Sequence, residues 1–144
     1  MKIKVAWIGR TKEPALQALT DEYLKRISRY AEIEGVVLRD EAALLKIREK
    51  PRPAQVLVLL DRGGKQLSSE EIATLVGDFE QRSALPLFAV GPADGFGDPV
   101  RKVAGMVLSL GKITLPHELA RVVLLEQLYR ALTILKGHPY HSGH

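Results

Sequence analysis

The chain has 144 residues, of which 46% are hydrophobic and 26% charged, with no cysteine; that balance suits one globular domain over residues 1–144 and excludes a disulfide framework or a thiolate metal site. A chain of this length buries roughly 68–70% of its unfolded surface, none of its apolar runs approaches the ~20 residues of a bilayer span, and the charged opening Met1-Lys2-Ile3-Lys4-Val5 does not suit a signal peptide, so a cytoplasmic protein is expected. The net charge of +4 is unevenly spread: 12 basic against 8 acidic residues up to Arg52, 3 against 7 from Pro53 to Val100, and 6 against 2 from Arg101 onward, where all four histidines also fall.

Ile3 to Gly9 is a short apolar run ending in glycine and predicts a buried strand. Pro14 opens a helical pattern in which Leu16, Leu19, Tyr23, Ile27 and Tyr30 recur at spacings of three and four. Ile33 to Leu38 predicts a second strand and Glu41 to Glu49 a helix, ended by Pro51 and Pro53. Val56 to Leu60 is continuously apolar, as strands covered on both faces are. It runs into Asp61-Arg62-Gly63-Gly64-Lys65, read as a turn. Ser68 or Ser69 then caps a helix through about Arg82, with Glu70 and Glu71 in its first turn. Pro86 to Gly91 predicts a fourth strand, followed by the turn-rich stretch Pro92 to Asp98, a short helix, and a strand near Met106 to Leu110. A long helix from about Pro116 to Leu135 closes the pattern. Strands alternating with helices predict an α/β fold with a largely parallel sheet.

In open α/β sheets ligands bind beyond the carboxyl ends of the strands. Three strand ends here are rich in glycine: Leu60 to Lys65, Gly91 to Gly95, and Leu110 to Pro116. Each alone reads as an ordinary turn; three together at predicted strand ends point to a site, because glycine lets backbone approach a ligand closely. Gly63-Gly64-Lys65 is not a P-loop, since the spaced leading glycine and the following Ser or Thr are missing, and no G-x-G-x-x-G occurs.

The last helix is apolar on nearly every side, which predicts either the sheet against one face and a second subunit against another, or a central core helix within one chain. Thr114 is positioned to cap it, with Pro116 in its opening turn. His117 and Arg121 share a face at its start, and Glu126 and Arg130 are spaced for an ion pair. Gly137 predicts its C-cap. In the tail that follows, His138 and His141 flank Pro139-Tyr140, which suits proton transfer or base stacking; with neither carboxylate nor cysteine nearby, no metal is expected.

The run Ile113 to His141, ITLPHELARVVLLEQLYRALTILKGHPYH, resembles the C-terminal signature of the bacterial ribosomal RNA large subunit methyltransferase H family, in the SPOUT class of knotted methyltransferases. The opening strand, Leu60-Asp61 with Gly64-Lys65, and the Gly-Pro-x-x-Gly loop at Gly91 to Gly95 extend the resemblance along the chain. It implies an α/β domain with a C-terminal deep trefoil knot and an obligate homodimer. It also implies S-adenosylmethionine bound in the knot, and N3-methylation of a pseudouridine in helix 69 of 23S rRNA on the assembled ribosome. By position, the implied donor-binding residues are Leu60, Gly91 and the stretch Gly111, Lys112, Ile113, Thr114, Leu115 and Pro116. Tyr140 and His141 are implied near the active site.

The chain also departs from the family. It is somewhat shorter than usual, Ser142 stands where a basic residue commonly follows Tyr-His, and Val90 replaces the first of two paired glycines. If the missing basic residue holds RNA, Arg121 or His144 would have to replace it. Methyl transfer from a sulfonium to a ring nitrogen rests on positioning and exclusion of water, and the departing N3 proton suits a base such as His141. The expected division of labour has the glycine loops holding the donor, with Leu60, Ile113 and Leu115 on the adenine faces, while Arg121, Tyr140 and His141 orient or activate the target base. Two other classes stay open: a non-catalytic ribosome-binding assembly or quality-control factor, and a flavodoxin-type nucleotide module, for which Gly9 to Lys12 offers little phosphate-binding material.

Overall fold

The computed structural model describes residues 1–49 and 55–141. Five parallel strands, β1 (Lys2–Ile8), β2 (Glu32–Leu38), β3 (Gln55–Gln66), β4 (Leu85–Val90) and β5 (Met106–Ser109), form one sheet in the order β2-β1-β4-β3-β5. Helices α1 (Pro14–Ile27), α2 (Glu41–Arg48), α3 (Ser69–Gln81), α4 (Asp98–Val103) and α5 (His117–Lys136) alternate with the strands, and a 3-10 turn, Pro139–His141, follows α5.

Strand alternation sorts the core into two layers. Val5 and Trp7 of β1, Val58 of β3 and Phe88 and Val90 of β4 face one side, where Ile27 of α1, Val76 and Phe79 of α3, and Leu124, Leu125, Leu128 and Leu132 of α5 cover them. Ala6, Leu57, Leu59, Leu87 and Ala89 face the other side, against Leu44 of α2 and Val100 of α4. All six residues of β4 are buried, as its place between β1 and β3 requires.

The helix starts follow local chemistry. Asp40 caps α2 by accepting the Ala43 N–H at 2.9 Å. Ser68, not Ser69, caps α3, with Glu71 returning the bond to the Ser68 N–H in a capping box. Gly137 ends α5 in the left-handed region at φ 72°.

Three expectations need correction or completion. The pattern of α1 stops at Ile27; Tyr30 lies in the turn beyond, and Leu19 is exposed at 43%. The segment Asp61 to Lys65 is not a turn ending β3, because the strand continues to Gln66. Leu60 and Lys65 both pair with Leu108 of β5, so the residues between them form an excursion within the strand. Helix α5 lies over the sheet with α1 and α3, and this single chain already buries its residues from Val122 through Leu132 on most sides. What remains outside is narrower than a whole second face: Leu119 and Val123 are half-buried and Leu135 is exposed. Pro51 and Pro53 lie outside the described residues.

Candidate functional site

The carboxyl ends of β3, β4 and β5 converge on a cleft of about 310 Å³, at the small end of the roughly 300–1,000 Å³ usual for small-molecule sites. Its first wall is Leu60 with the excursion in β3. The Asp61 carboxylate accepts the Gly63 N–H at 2.9 Å and a bond from Arg101 Nη2 at 2.7 Å. Burial pushes the Asp61 carboxyl upward, but the Gly63 and Arg101 bonds outweigh it and hold the group below the ordinary carboxylate value. Gly64 lies so close to β5 that an added Cβ would stand 2.7 Å from the Val107 carbonyl carbon and oxygen. Only glycine lets the strand resume there.

The second wall follows β4. Gly91 allows the Phe96 ring to close over it, since a Cβ at 91 would meet that ring at 3.0–3.1 Å. Gly95, at φ +85°, donates its N–H to Pro92 O at 2.9 Å and completes the turn. Arg101 ties the two walls together, because its Nε also donates to Phe96 O at 3.0 Å. The third wall is the segment after β5. Gly111 sits at φ +130° with open space where a Cβ would be, and the buried Ser109 hydroxyl bonds both its N–H and its carbonyl. Arg62 reaches across from the first wall to donate to the Thr114 hydroxyl.

Among the residues expected at a donor site, Leu60, Gly91, Gly111, Ile113, Thr114 and Leu115 line this cleft, whereas Lys112 and Pro116 do not. Thr114 faces Arg62 and does not cap α5, whose N-cap position is occupied by Pro116 without a side-chain bond. His117 and Ala120 of α5 also line the cleft, as do Asp61 and Arg62. The sequence pattern marks Asp61 and Arg62 only as parts of a glycine-rich segment. Ile113 is 72% exposed, a large apolar side chain standing open at the mouth.

The tail is anchored elsewhere on α5. Tyr140 Oη donates to Glu126 Oε2 at 3.0 Å, and the same carboxylate oxygen pairs with Arg130 Nη2 at 2.7 Å. The Arg130 guanidinium lies 5.2 Å from the Tyr140 ring centre, and Tyr129 meets that ring edge-on at 4.7 Å. Burial, with bonds to Tyr23 and Glu126, pushes the Tyr140 phenol well above its usual value, so it is held as a donor. His141 closes the 3-10 turn, and Ser142 and His144 lie outside the described residues. From the cleft-lining Ala120 to Glu126, which holds the Tyr140 hydroxyl, the helix rises roughly 9 Å, and Tyr140 is not among the residues that line the cleft.

Arg121 is placed differently from both. It is 0% exposed; Nη2 donates to Ile8 O at 2.8 Å and Nη1 to Thr11 Oγ1 at 3.0 Å, with the Trp7 ring 5.9 Å away. Among the described residues its Nε and the Trp7 Nε1 have no hydrogen-bond partner. Burial lowers its pKa, opposed by the nearby Glu118. This guanidinium is committed to the loop after β1 and is closed off from the cleft within the chain. Glu126 and Arg130 do form the intrahelical pair that their spacing predicts. Among the described residues no group of three or more histidine or acidic side chains is arranged to hold a metal ion.

A family model described as "Predicted SPOUT methyltransferase" matches residues 1–141. The chain belongs to the SPOUT methyltransferase family. Its relatives include proteins named Ribosomal RNA large subunit methyltransferase H. The one from Koribacter versatilis is 58% identical over the full length of both chains, and the one from Gloeobacter violaceus is 45% identical over 99% of this chain and all of its own. The protein of that name from Geobacter metallireducens is 44% identical with the same coverage. Among solved structures, the SpoU methyltransferase AviRb from Streptomyces viridochromogenes, in complex with AdoMet, is similar with a TM-score of 0.53. That likeness, at 14% identity over 90% of this chain and 57% of the other, speaks to the fold. The run Ile113 to His141 therefore supplies two structures: the cleft wall of Ile113, Thr114, Leu115 and His117 and, further along the same helix, the seat of the tail.

Proposed function

We propose that the cleft binds S-adenosylmethionine and that this SPOUT methyltransferase, a single domain, methylates N3 of a pseudouridine in helix 69 of 23S rRNA on assembled ribosomes in the cytoplasm. The observation that carries the reading is the cleft itself: three glycine-bearing strand ends of a family member, walled by Leu60, Gly91, Gly111 and Ile113 to Leu115. The open space at Gly111 lets a ligand lie directly on backbone, and the apolar Leu60, Ile113 and Leu115 suit the faces of an adenine. When bound, S-adenosylmethionine supplies an electrophilic methyl group for in-line displacement by a ring nitrogen.

The chain's own part is to orient and to move one proton. The Asp61–Arg101 pair and the Arg62–Thr114 bond hold the three walls in fixed relation, which is what an in-line reaction demands. His141 takes the N3 proton, since imidazole titrates near neutrality. Because Tyr140 does not line the cleft of its own chain, the reading takes a homodimer in which each tail serves the partner's cleft. The exposed Ile113 and half-buried Leu119 and Val123 are the apolar surface available for that contact. The family's deep trefoil knot belongs to the same proposal, in the segment after β5.

The test is incubation with methyl-labelled S-adenosylmethionine and unmethylated ribosomes, with naked 23S rRNA in parallel, and location of the label by mass spectrometry. Label on a helix 69 pseudouridine, on ribosomes and not on naked RNA, is the expected result. Absence of label on both, from protein that binds ribosomes, would favour a non-catalytic factor.

A further inference from the structure

The first two turns of α5 hold the loop between β1 and α1. Glu118 Oε1 accepts the Lys12 and Glu13 N–H groups at 3.0 and 3.1 Å, capping α1, whose own N-cap Glu13 makes no side-chain bond. One turn on, Arg121 holds Ile8 O and the Thr11 hydroxyl. Residues 9–13 are thus fixed by the same stretch of helix whose His117 and Ala120 line the donor cleft. Burying a guanidinium whose Nε is unpartnered among the described residues carries a desolvation cost, more than a simple connection requires.

That loop presents Arg10 and Lys12 to solvent. Beside it, the Gly9 N–H donates to Leu38 O at 2.8 Å, so Arg39 and Arg10 follow neighbouring strands at the carboxyl end of the sheet. The Arg39 side chain is 93% exposed, with Asp40 3.7 Å away. Of the neighbouring carboxylates, Glu118 accepts from the loop backbone and Glu41 from the Gly97 N–H at 2.8 Å, while Asp40 accepts from Ala43 with one oxygen and faces Arg39 with the other. Glu13 and Asp40 are the exposed acids beside the three cations; Asp40 pairs with Arg39, whereas Arg10 and Lys12 make no ion pair among the described residues.

We propose that Arg10, Lys12 and Arg39 form a cationic platform that takes the phosphodiester backbone of the RNA substrate beside the donor cleft, with Glu118 and Arg121 as positioning residues. The inference rests on the RNA methyltransferase reading and adds to it the surface on which the RNA lies. Such contacts set register without reading sequence. A loop already fixed before binding spares the entropy of ordering it. Arg121 accordingly acts on RNA through the loop it holds, not by touching a base.

The experiment compares full-length wild type with R10A/K12A/R39A. It measures ribosome affinity by sedimentation across a salt series, donor affinity by calorimetry, and methylation. The triple variant is expected to bind ribosomes at least about tenfold more weakly at physiological salt, with the slope of log affinity against log salt reduced by about two. Its donor affinity should stay within about twofold of wild type. The charge-preserving R10K/K12R/R39K is expected to restore most of the ribosome affinity and the full salt slope, a result that a purely structural role would not produce. Unchanged ribosome affinity and slope in the alanine variant would overturn the platform. Weakened donor binding with intact ribosome binding would also overturn it, placing the cations on the donor's carboxylate instead. Wild type that binds ribosomes with this salt dependence but transfers no methyl group would keep the platform and sink the methyltransferase reading alone.

Discussion

Glu126 carries three obligations with one carboxylate. It pairs with Arg130, accepts the Tyr140 hydroxyl and takes a bond from the Gln127 amide, all on the half-buried flank of α5. The Tyr140 ring, clasped by Tyr129 and Arg130, sets where the turn ending in His141 leaves the helix. Replacing Tyr140 with phenylalanine keeps the ring and its packing but removes the hydroxyl. The loss is one hydrogen bond to a charged acceptor, worth about 1–2 kcal/mol in a partly buried setting. If Tyr140 positions the tail, Tyr140→Phe lowers kcat severalfold while the KM for S-adenosylmethionine stays put, since the cleft is not touched. A rise in donor KM with kcat preserved would show that the hydroxyl serves the cleft instead.

At the scale of elements, the excursion in β3 is what makes room for the cleft. A strand running straight from Leu60 would continue along β5; instead Asp61 to Gly64 leave the ladder, and Lys65 and Gln66 rejoin it opposite Leu108 and Ser109. Rejoining depends on Gly64, whose missing side chain lets the two backbones touch. Gly64→Ala would drive a Cβ against Val107 and Leu108 main-chain atoms that cannot move without shifting β5. Overpacking of this kind costs typically about 1–3 kcal/mol, and rigid neighbours put it at the upper end, a fall of roughly 5–10 °C in Tm. Donor affinity should fall with it; a variant with wild-type Tm and affinity would mean that the close approach does not shape the cleft. The alternation of elements was legible because β1, β3 and β4 hold clean apolar runs and two helices carry start signals, at Pro14 and at Ser68 or Ser69. The excursion was not, because Gly63-Gly64 announces a break and nothing local says that pairing resumes. Nor was the burial of Arg121 readable: its partners, Ile8 and Thr11, lie more than a hundred residues away and come near only through the order of strands. Six of the eight residues expected at the donor site line the cleft and followed from glycine punctuation and the family signature together, but Lys112 and Pro116 share that signature and do not line it.

The whole molecule separates the cleft at the start of α5 from the tail seated on Glu126 at its middle. On the proposed reading the chemistry joins the cleft of one copy to the tail of another, and a two-fold dimer does this twice with one interface. The prediction is a complementation. His141→Ala keeps its cleft and loses its tail function. Gly111→Val puts a side chain at φ +130°, where L residues are strained, and into the space a donor would occupy; it keeps its tail and loses its cleft. Each homodimer is expected to be inactive. When the two chains are coexpressed, about half of the dimers are mixed, and each mixed dimer pairs one intact cleft with the intact tail of its partner. Activity of about a quarter of wild type follows from that counting. A tail that served its own chain's cleft would leave both sites of every mixed dimer defective, and the mixture would be as inactive as its parents. The same preparation run in a sedimentation experiment fixes the premise, because a monomer at working concentration has no partner tail to borrow. Methylation by such a monomer would require the tail to leave Glu126 and move toward the start of α5, against the hydrogen bond and ring contacts that seat it.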